Sequence, residues 1–154
     1  MGVMSAIDRE IVISRVFDAP RDLVFKAWTQ PDLMMRWLCP KDFTVLFAEV
    51  DLRVGGKWRS GMKSPDGNEY FMHGAYRVIV EPEMLVFTHA WEDGSGRLGP
   101  QTIVTVAFEE EASGQTRMHV HQAIFESRAS RDGHQGGWNE SFDRLEAWLE
   151  EAQS

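Results

Sequence analysis

The sequence lacks three features that would each assign the protein to a particular class. It contains a single cysteine, Cys39, so no disulfide can form within the chain, as is common for proteins of a reducing cytoplasm. No apolar run approaches the roughly 18 residues that span a bilayer. The start of the chain has no basic region followed by an apolar core, as a secretory signal would. We therefore expect a cytoplasmic protein with no membrane-spanning segment.

Positive charge is also scarce. The chain has 16 Lys and Arg residues against 24 Asp and Glu residues, for a formal net charge of -8. Nucleic-acid binding depends on clustered positive charge, and anionic membranes attract basic segments. The composition therefore predicts that neither nucleic acid nor a membrane surface is a partner.

Apolar and aromatic residues, by contrast, are abundant. Hydrophobic residues make up 43% of the 154 residues, with six Trp, nine Phe and two Tyr. This is enough for one domain with a packed core, and large rings commonly line apolar pockets. We expect residues 9–152 to form this single domain, and residues 1–8 to be flexible because nothing in them is periodic.

The order of the secondary-structure signals predicts an α+β fold. A strand at 11–17 is followed by two short helices that end near Trp37, and then by a run of strand-like segments separated by turn signals. A long amphipathic helix, predicted to begin between Ser130 and Gly137, closes the chain. Its apolar stripe consists of Trp138, Phe142, Leu145, Trp148 and Leu149. The layout indicates a curved antiparallel sheet of about seven strands that grips the C-terminal helix and encloses an apolar cavity.

The segment from Thr44 to Val54 has the clearest period of two. One face carries a continuous apolar set, and the other becomes polar toward its end. The apolar set comprises Leu46, Ala48, Val50, Leu52 and Val54. We interpret the segment as one half-buried strand, followed by a tight turn at Gly55-Gly56.

An ordered set of short motifs now resembles a known family. The motifs are Phe17-Asp18-Ala19-Pro20 with Val24, Trp28, Pro31 and Trp37; the run from Asp51 to Trp58; Pro65-Asp66-Gly67; Gly74-Ala75-Tyr76; Leu85 to Thr88; Thr116-Arg117-Met118; His134; and Gly137-Trp138. Together they resemble the START-like, or SRPBCC, superfamily of helix-grip proteins. Within it, the chain is similar to the branch named after the C-terminal domain of the activator of the ninety-kilodalton heat-shock protein ATPase. The resemblance covers roughly residues 10 to 150.

The resemblance implies a cavity between the long helix and the sheet, but no particular activity. Members of the superfamily include lipid and hormone carriers, polyketide cyclases and aromatases, and co-chaperone domains, among which a fold cannot choose. The residues expected to line a ligand cavity are Trp28, Trp58, Tyr76, Phe87, His89, Trp91, Gln122, Trp138 and Phe142. Tyr76, His89 and Gln122 are the candidate polar anchors. Gln122 departs from the branch, since many relatives carry His at this position.

Three functions follow as hypotheses. The first is binding of a small hydrophobic or aromatic molecule in the cavity. The second is an enzyme of cyclase, aromatase or hydrolase type, in which His89 and Tyr76 would act as acid or base. The third is a module that contacts a chaperone, although the co-chaperone itself has a separate N-terminal domain for which this chain leaves no room. A homodimer through exposed sheet edges is a further open alternative.

No motif in the sequence calls for a metal or a cofactor. His119 and His121 share one strand face, but a metal site needs a third ligand, which no recognised spacing supplies. If Met118 and Val120 face the core, both histidines point toward solvent. Cys39 has no local base that would make it a nucleophile, and no phosphate loop or dinucleotide fingerprint is present. We therefore predict no cofactor, no metal and no assigned catalytic residue.

Overall fold

The computed structural model of this chain describes residues 9–92, 99–123, 125 and 127–154. Three helices are formed: α1 (Arg21–Thr29), α2 (Pro31–Met34) and α3 (Arg128–Ala152). The strands are β1 (Ile11–Phe17), β2 (Thr44–Val50), β3 (Lys57–Lys63), β4 (Glu69–Val80), β5 (Met84–Glu92), β6 (Thr102–Glu110) and β7 (Thr116–Ala123). Residues 1–8, which are predicted to be flexible, lie outside the described residues.

All seven strands belong to one antiparallel sheet in the order β1-β7-β6-β5-β4-β3-β2. The sheet is curved, and α3 lies along its concave side, which confirms the predicted α+β helix-grip fold. Within the described residues, no helix is both long enough and apolar enough to cross a membrane.

The main core lies between the concave face of the sheet and the helices α1 and α3. It is rich in aromatic contacts, which prefer edge-to-face geometry. Trp28 of α1 packs edge-on against Trp37 with ring centroids 4.9 Å apart, and Phe25 packs edge-on against Phe108 at 5.5 Å. Because Trp28 lies at the centre of this cluster, α1 is held close to the middle of the sheet.

Strand β2 differs from its prediction in length and, before its bulge, in the face that it buries, whereas Ala48 and Val50 of the predicted apolar set pack against the main core. It ends at Val50, and Leu52 and Val54 are 40% and 68% exposed. The pairing with β3 shifts register between Val45 and Phe47, and a bulge of this kind turns successive side chains to different sides. As a result, Val45 is buried and Leu46 is exposed, opposite to the face expected from simple alternation.

The C-terminal helix begins earlier than predicted, at Arg128, with Ser127 as its N-cap. Gly133 and Gly136 therefore lie inside the helix, where glycine lowers helix propensity and hides the helical pattern from the sequence. A Cβ atom at either position would meet no other atom within 4 Å. Close packing is thus not the reason that these two positions are glycine.

Candidate functional site

A cavity of about 110 Å³ lies between the sheet and the N-terminal half of α3. Its wall is contributed by α1, α2, the chain after α2, four strands of the sheet and α3. The lining residues are Trp28, Met34, Trp37, Leu38, Cys39, Pro40, Trp58, Met62, Met72, Tyr76, Phe87, His89, Trp91, Gln122, Gly133, His134, Gly137, Trp138 and Ser141. None of these is Asp, Glu, Lys or Arg.

Eight of the nine residues that the sequence assigns to a ligand cavity line this space. The ninth, Phe142, lies behind the wall and is fully buried. Its ring stacks on Trp138 at 5.3 Å and contacts Trp28 at 6.0 Å. Phe142 therefore supports the cavity from the core, and truncating it would test packing rather than ligand contact.

The position of the Trp58 ring depends on a glycine of the neighbouring strand, which has no side chain to occupy the same space. Any Cβ at Gly74 of β4 would collide with the backbone of Thr88 and with the Trp58 indole. Because Gly74 leaves this space free, the indole lies against the sheet and its Nε1–H donates to the Thr88 carbonyl at 3.1 Å. The ring also contacts Phe87 edge-on at 5.6 Å. The Trp58 ring is thus held as part of the cavity wall.

Gln122, a predicted polar anchor, already has partners at both ends of its amide. Its Nε2 donates to the Thr102 hydroxyl at 2.8 Å, and its Oε1 accepts from Trp138 Nε1 at 2.7 Å. The residue is 1% exposed. The amide therefore ties α3 to β6 and β7, and a ligand could use it only by breaking one of these bonds.

Two histidine rings lie side by side in the wall. The rings of His89 on β5 and His134 on α3 are 5.6 Å apart, and both contact Trp91. Trp91 Nε1 donates to His134 Nε2 at 2.7 Å, so this nitrogen must be unprotonated. Burial lowers the pKa of His134, and burial followed by the proximity of His134 lowers the pKa of His89 to about 3. Both rings are therefore neutral at neutral pH.

Two hydroxyl groups in the wall have no hydrogen-bond partner among the described residues. They belong to Tyr76 on β4 and Ser141 on α3, each 4% exposed. Polar atoms that lack a partner and are fully enclosed by protein lie on other residues, so these two oxygens are not fully enclosed. Both side chains are buried and line the cavity, and both oxygens keep some accessible surface.

The thiol of Cys39 also lies in the wall, and it is held by Arg144 from outside the cavity. Arg144 Nη1 donates to Cys39 Sγ at 2.7 Å and to the Phe43 carbonyl at 3.1 Å. Burial raises the pKa of the Cys39 thiol despite the opposing effect of Arg144. The protonated thiol is a weak nucleophile, which agrees with a structural role.

The cavity reaches the surface beside the first turns of α3. Gly133 lines the cavity and is exposed, and the half-buried Gly137 lies next to Pro40. A Cβ at Gly137 would approach Pro40 Cγ to 3.6 Å, an ordinary contact distance. The opening is therefore bordered by glycines on one side and by the chain after α2 on the other.

His119 and His121 lie on the outer face of β7, as predicted, with side chains 42% and 46% exposed. His119 bonds Ser14 Oγ through Nδ1 at 2.6 Å and Glu109 through Nε2 at 2.7 Å. Both of its ring nitrogens are thus occupied. Among the described residues, no group of three or more His, Cys, Asp or Glu side chains could hold a metal ion.

Several lining residues were not identified from the sequence. In the sequence, Met34 and Trp37 belong to the apolar side of a predicted short helix, and Ser141 lies among polar residues on α3. No local pattern separates a residue that faces a cavity from one that faces the core. Their role depends on where α2 and α3 leave a gap above the sheet.

The chain matches one family model over residues 18–150, described as "Activator of Hsp90 ATPase homolog 1-like protein". A search of the curated proteins finds no match.

Solved structures share the fold. A protein from Arthrobacter aurescens is 26% identical, with a TM-score of 0.84 over 97% of this chain and 90% of that chain. A protein from Rhizobium leguminosarum is 27% identical, with a TM-score of 0.77 over 92% and 94% of the two chains. A Silicibacter pomeroyi protein called AHSA1 is 24% identical, with a TM-score of 0.82 over 91% and 96%.

Proposed function

Because this chain belongs to the family of activator of Hsp90 ATPase homolog 1-like proteins, we propose that it binds a small hydrophobic or aromatic molecule between the sheet and α3. The observation that carries the proposal is the cavity wall, which includes five of the six tryptophans and no ionised side chain. Concave, mostly apolar spaces with a few polar groups are the usual form of small-molecule sites. Burial of apolar ligand surface would supply affinity of about 25 cal/mol per Å² before ordering costs.

The volume of the cavity limits the size of the enclosed ligand. An apolar cavity of about 150 Å³ is enough to hold benzene, and this one measures about 110 Å³. The enclosed part of the ligand is therefore at most about one ring in size. A larger molecule would extend through the opening beside Gly133.

An enzyme that uses the same cavity is the weaker alternative. General acid–base catalysis is most efficient when the pKa of the group lies near the working pH. The pKa of His89 is lowered to about 3 and that of Tyr76 is raised, in each case mainly by burial. At neutral pH, His89 would be a poor base and Tyr76 a poor acid. Binding without turnover is thus the function that these two groups favour.

Native mass spectrometry of the purified protein tests the proposal. We expect a discrete extra mass that disappears on denaturation. Ser141→Met would place a long side chain in the cavity and should abolish this mass. Asn139→Met adds the same side chain at an exposed position of α3 and should retain it.

An unmodified mass for all three proteins would count against a retained ligand. The chaperone-contact hypothesis would then become the stronger one, and a pulldown with the chaperone of the same cell would test it. The cytoplasmic location and the homodimer remain predictions from the sequence.

A further inference from the structure

The wall of the cavity is uncharged, which bears on the charge of any ligand. Among its described lining residues there is no Asp, Glu, Lys or Arg, and the rings of His89 and His134 are neutral. An ion that enters such a space loses its hydration and gains no opposite charge in return, which is strongly unfavourable. An uncharged molecule avoids this penalty.

Most polar groups of the wall are already engaged with the protein. The five lining indole N–H groups donate, in chain order, to Met118 Sδ, the Ala27 carbonyl, the Thr88 carbonyl, His134 Nε2 and Gln122 Oε1. The Gln122 amide is paired at both ends. The wall therefore offers few free hydrogen-bonding groups to a ligand, which makes the exceptions informative.

The hydroxyl groups of Tyr76 and Ser141 are exceptions, since they lack partners and are not fully enclosed by protein atoms. Nδ1 of His134 also lacks a partner, but it is fully enclosed and so is not open to a ligand. Burial raises the pKa of Tyr76, so the phenol keeps its proton and can donate it in a hydrogen bond. Phe87 fixes the phenol ring through an edge-on contact at 6.2 Å. Tyr76 thus provides a positioned donor in an otherwise apolar wall.

We propose that the ligand is an uncharged aromatic molecule with a hydrogen-bond-accepting oxygen, which the Tyr76 hydroxyl binds and the Ser141 hydroxyl assists. This inference rests on the proposed function, and it adds the chemical class of the ligand and the residue that selects it. A site built to bond a ligand oxygen discriminates against the analogue that lacks it, because the buried donor is then left unpaired.

Four single-ring probes of similar shape test this selection by calorimetric titration of the full chain. Acetophenone has a carbonyl oxygen, ethylbenzene has no polar atom, benzoate is an anion and benzylammonium is a cation. We expect acetophenone to bind about two- to tenfold more tightly than ethylbenzene, the range of one net hydrogen bond. Benzoate and benzylammonium should bind at least about tenfold more weakly than acetophenone.

Two conservative variants identify the donor. Tyr76→Phe removes only the hydroxyl, so the roughly two- to tenfold preference for acetophenone over ethylbenzene should disappear, without any loss of ethylbenzene affinity. Tyr70→Phe removes a hydroxyl from the exposed Tyr70 on the same strand and should change neither affinity. Ser141→Ala is expected to give a smaller loss of acetophenone affinity than Tyr76→Phe.

The outcomes separate this inference from the proposed function. If ethylbenzene and acetophenone bind equally, or if Tyr76→Phe leaves both unchanged, the cavity binds apolar molecules but the oxygen selection is wrong. Tight binding of benzoate or benzylammonium would overturn the charge selection in the same way. If no probe binds to the wild-type protein, the proposed function itself fails, and the selection fails with it.

Discussion

At the scale of single residues, Gln122 shows how a buried polar group can serve the fold rather than a ligand. Its amide joins Thr102 on β6 to Trp138 on α3, and buried polar groups of this kind are normally paired. In this chain, the glutamine supplies one donor and one acceptor simultaneously, which suits the two partners that flank it.

Replacement of Gln122 by Met should destabilise the protein by about 1–3 kcal/mol, because the Trp138 N–H would lose its acceptor. Met has a similar length, so little volume is lost. Urea unfolding of the variant measures this change in the free energy of unfolding. Gln101→Met, at an exposed site, is the matched control and should remain within about 0.5 kcal/mol of wild type. Equal stability of the two variants would contradict the assigned hydrogen bonds.

His89 links burial to pH dependence. Its pKa in the folded protein is lowered to about 3, while an unfolded chain titrates near 6.5. Between these values the unfolded state binds more protons, so stability rises with pH. The contribution of His89 is fully present above about pH 6.5 and is lost as the pH falls toward about 3. His134, whose pKa is also lowered by burial, acts in the same direction.

From about pH 6.5 to about pH 5.5, the free energy of unfolding of the wild-type protein should fall by about 1 kcal/mol more than that of His89→Gln. This interval lies above the ordinary titration of carboxyl groups, which limits their contribution. Urea unfolding at the two pH values measures the difference. The same pH dependence in wild type and His89→Gln would mean that His89 is not held neutral.

At the scale of elements, the start of α3 determines where the cavity is covered. The Ser127 hydroxyl accepts from the Ser130 amide at 3.1 Å, which satisfies one of the free N–H groups at the helix start. The turns that follow contain Gly133 and Gly136, which weaken the helix. The N-cap therefore stabilises a helical segment that has a low helix propensity of its own and that borders the opening of the cavity.

Substitution of Ser127 by Ala should lower the free energy of unfolding by about 1 kcal/mol, because the cap bond is lost. Ser127→Asp keeps an acceptor at the same place and adds a negative charge at the positive end of the helix dipole, so it should remain close to wild type. Urea unfolding followed by far-UV circular dichroism compares the three proteins. Equal stability of the Ala variant and wild type would place the start of the helix elsewhere.

At the scale of the whole molecule, the two ends of the described chain meet in one core. Strand β1 pairs with β7, and the main hydrophobic cluster extends from Ile11 to Leu149. A domain closed in this way should unfold as one cooperative unit. This agrees with the expectation of a single domain over residues 9–152, which remains a prediction.

We therefore expect the urea transitions seen by tryptophan fluorescence and by far-UV circular dichroism to coincide. Phe142→Ala removes a fully buried ring and should lower the free energy of unfolding by about 3–5 kcal/mol in both signals together. Two separate transitions, or a shift in only one signal, would show that the chain folds in more than one unit.

The sequence by itself determined the order of the strands and helices, the family and most of the aromatic wall. Alternation, helical periodicity and turn residues are local patterns, so they can be read without knowledge of distant contacts. A local pattern fails where one extra residue interrupts the alternation of side chains, as the bulge between Val45 and Phe47 does in β2. It also fails where glycines interrupt a helical segment, as they do in α3.

Only the tertiary structure decided which polar groups of the cavity are free. Trp138 and Gln122 are 16 residues apart in the chain, and Trp91 and His134 are 43 residues apart. Whether such groups pair depends on how α3 crosses the sheet, which no local pattern specifies. The same packing leaves the hydroxyls of Tyr76 and Ser141 without a partner on residues that line the cavity.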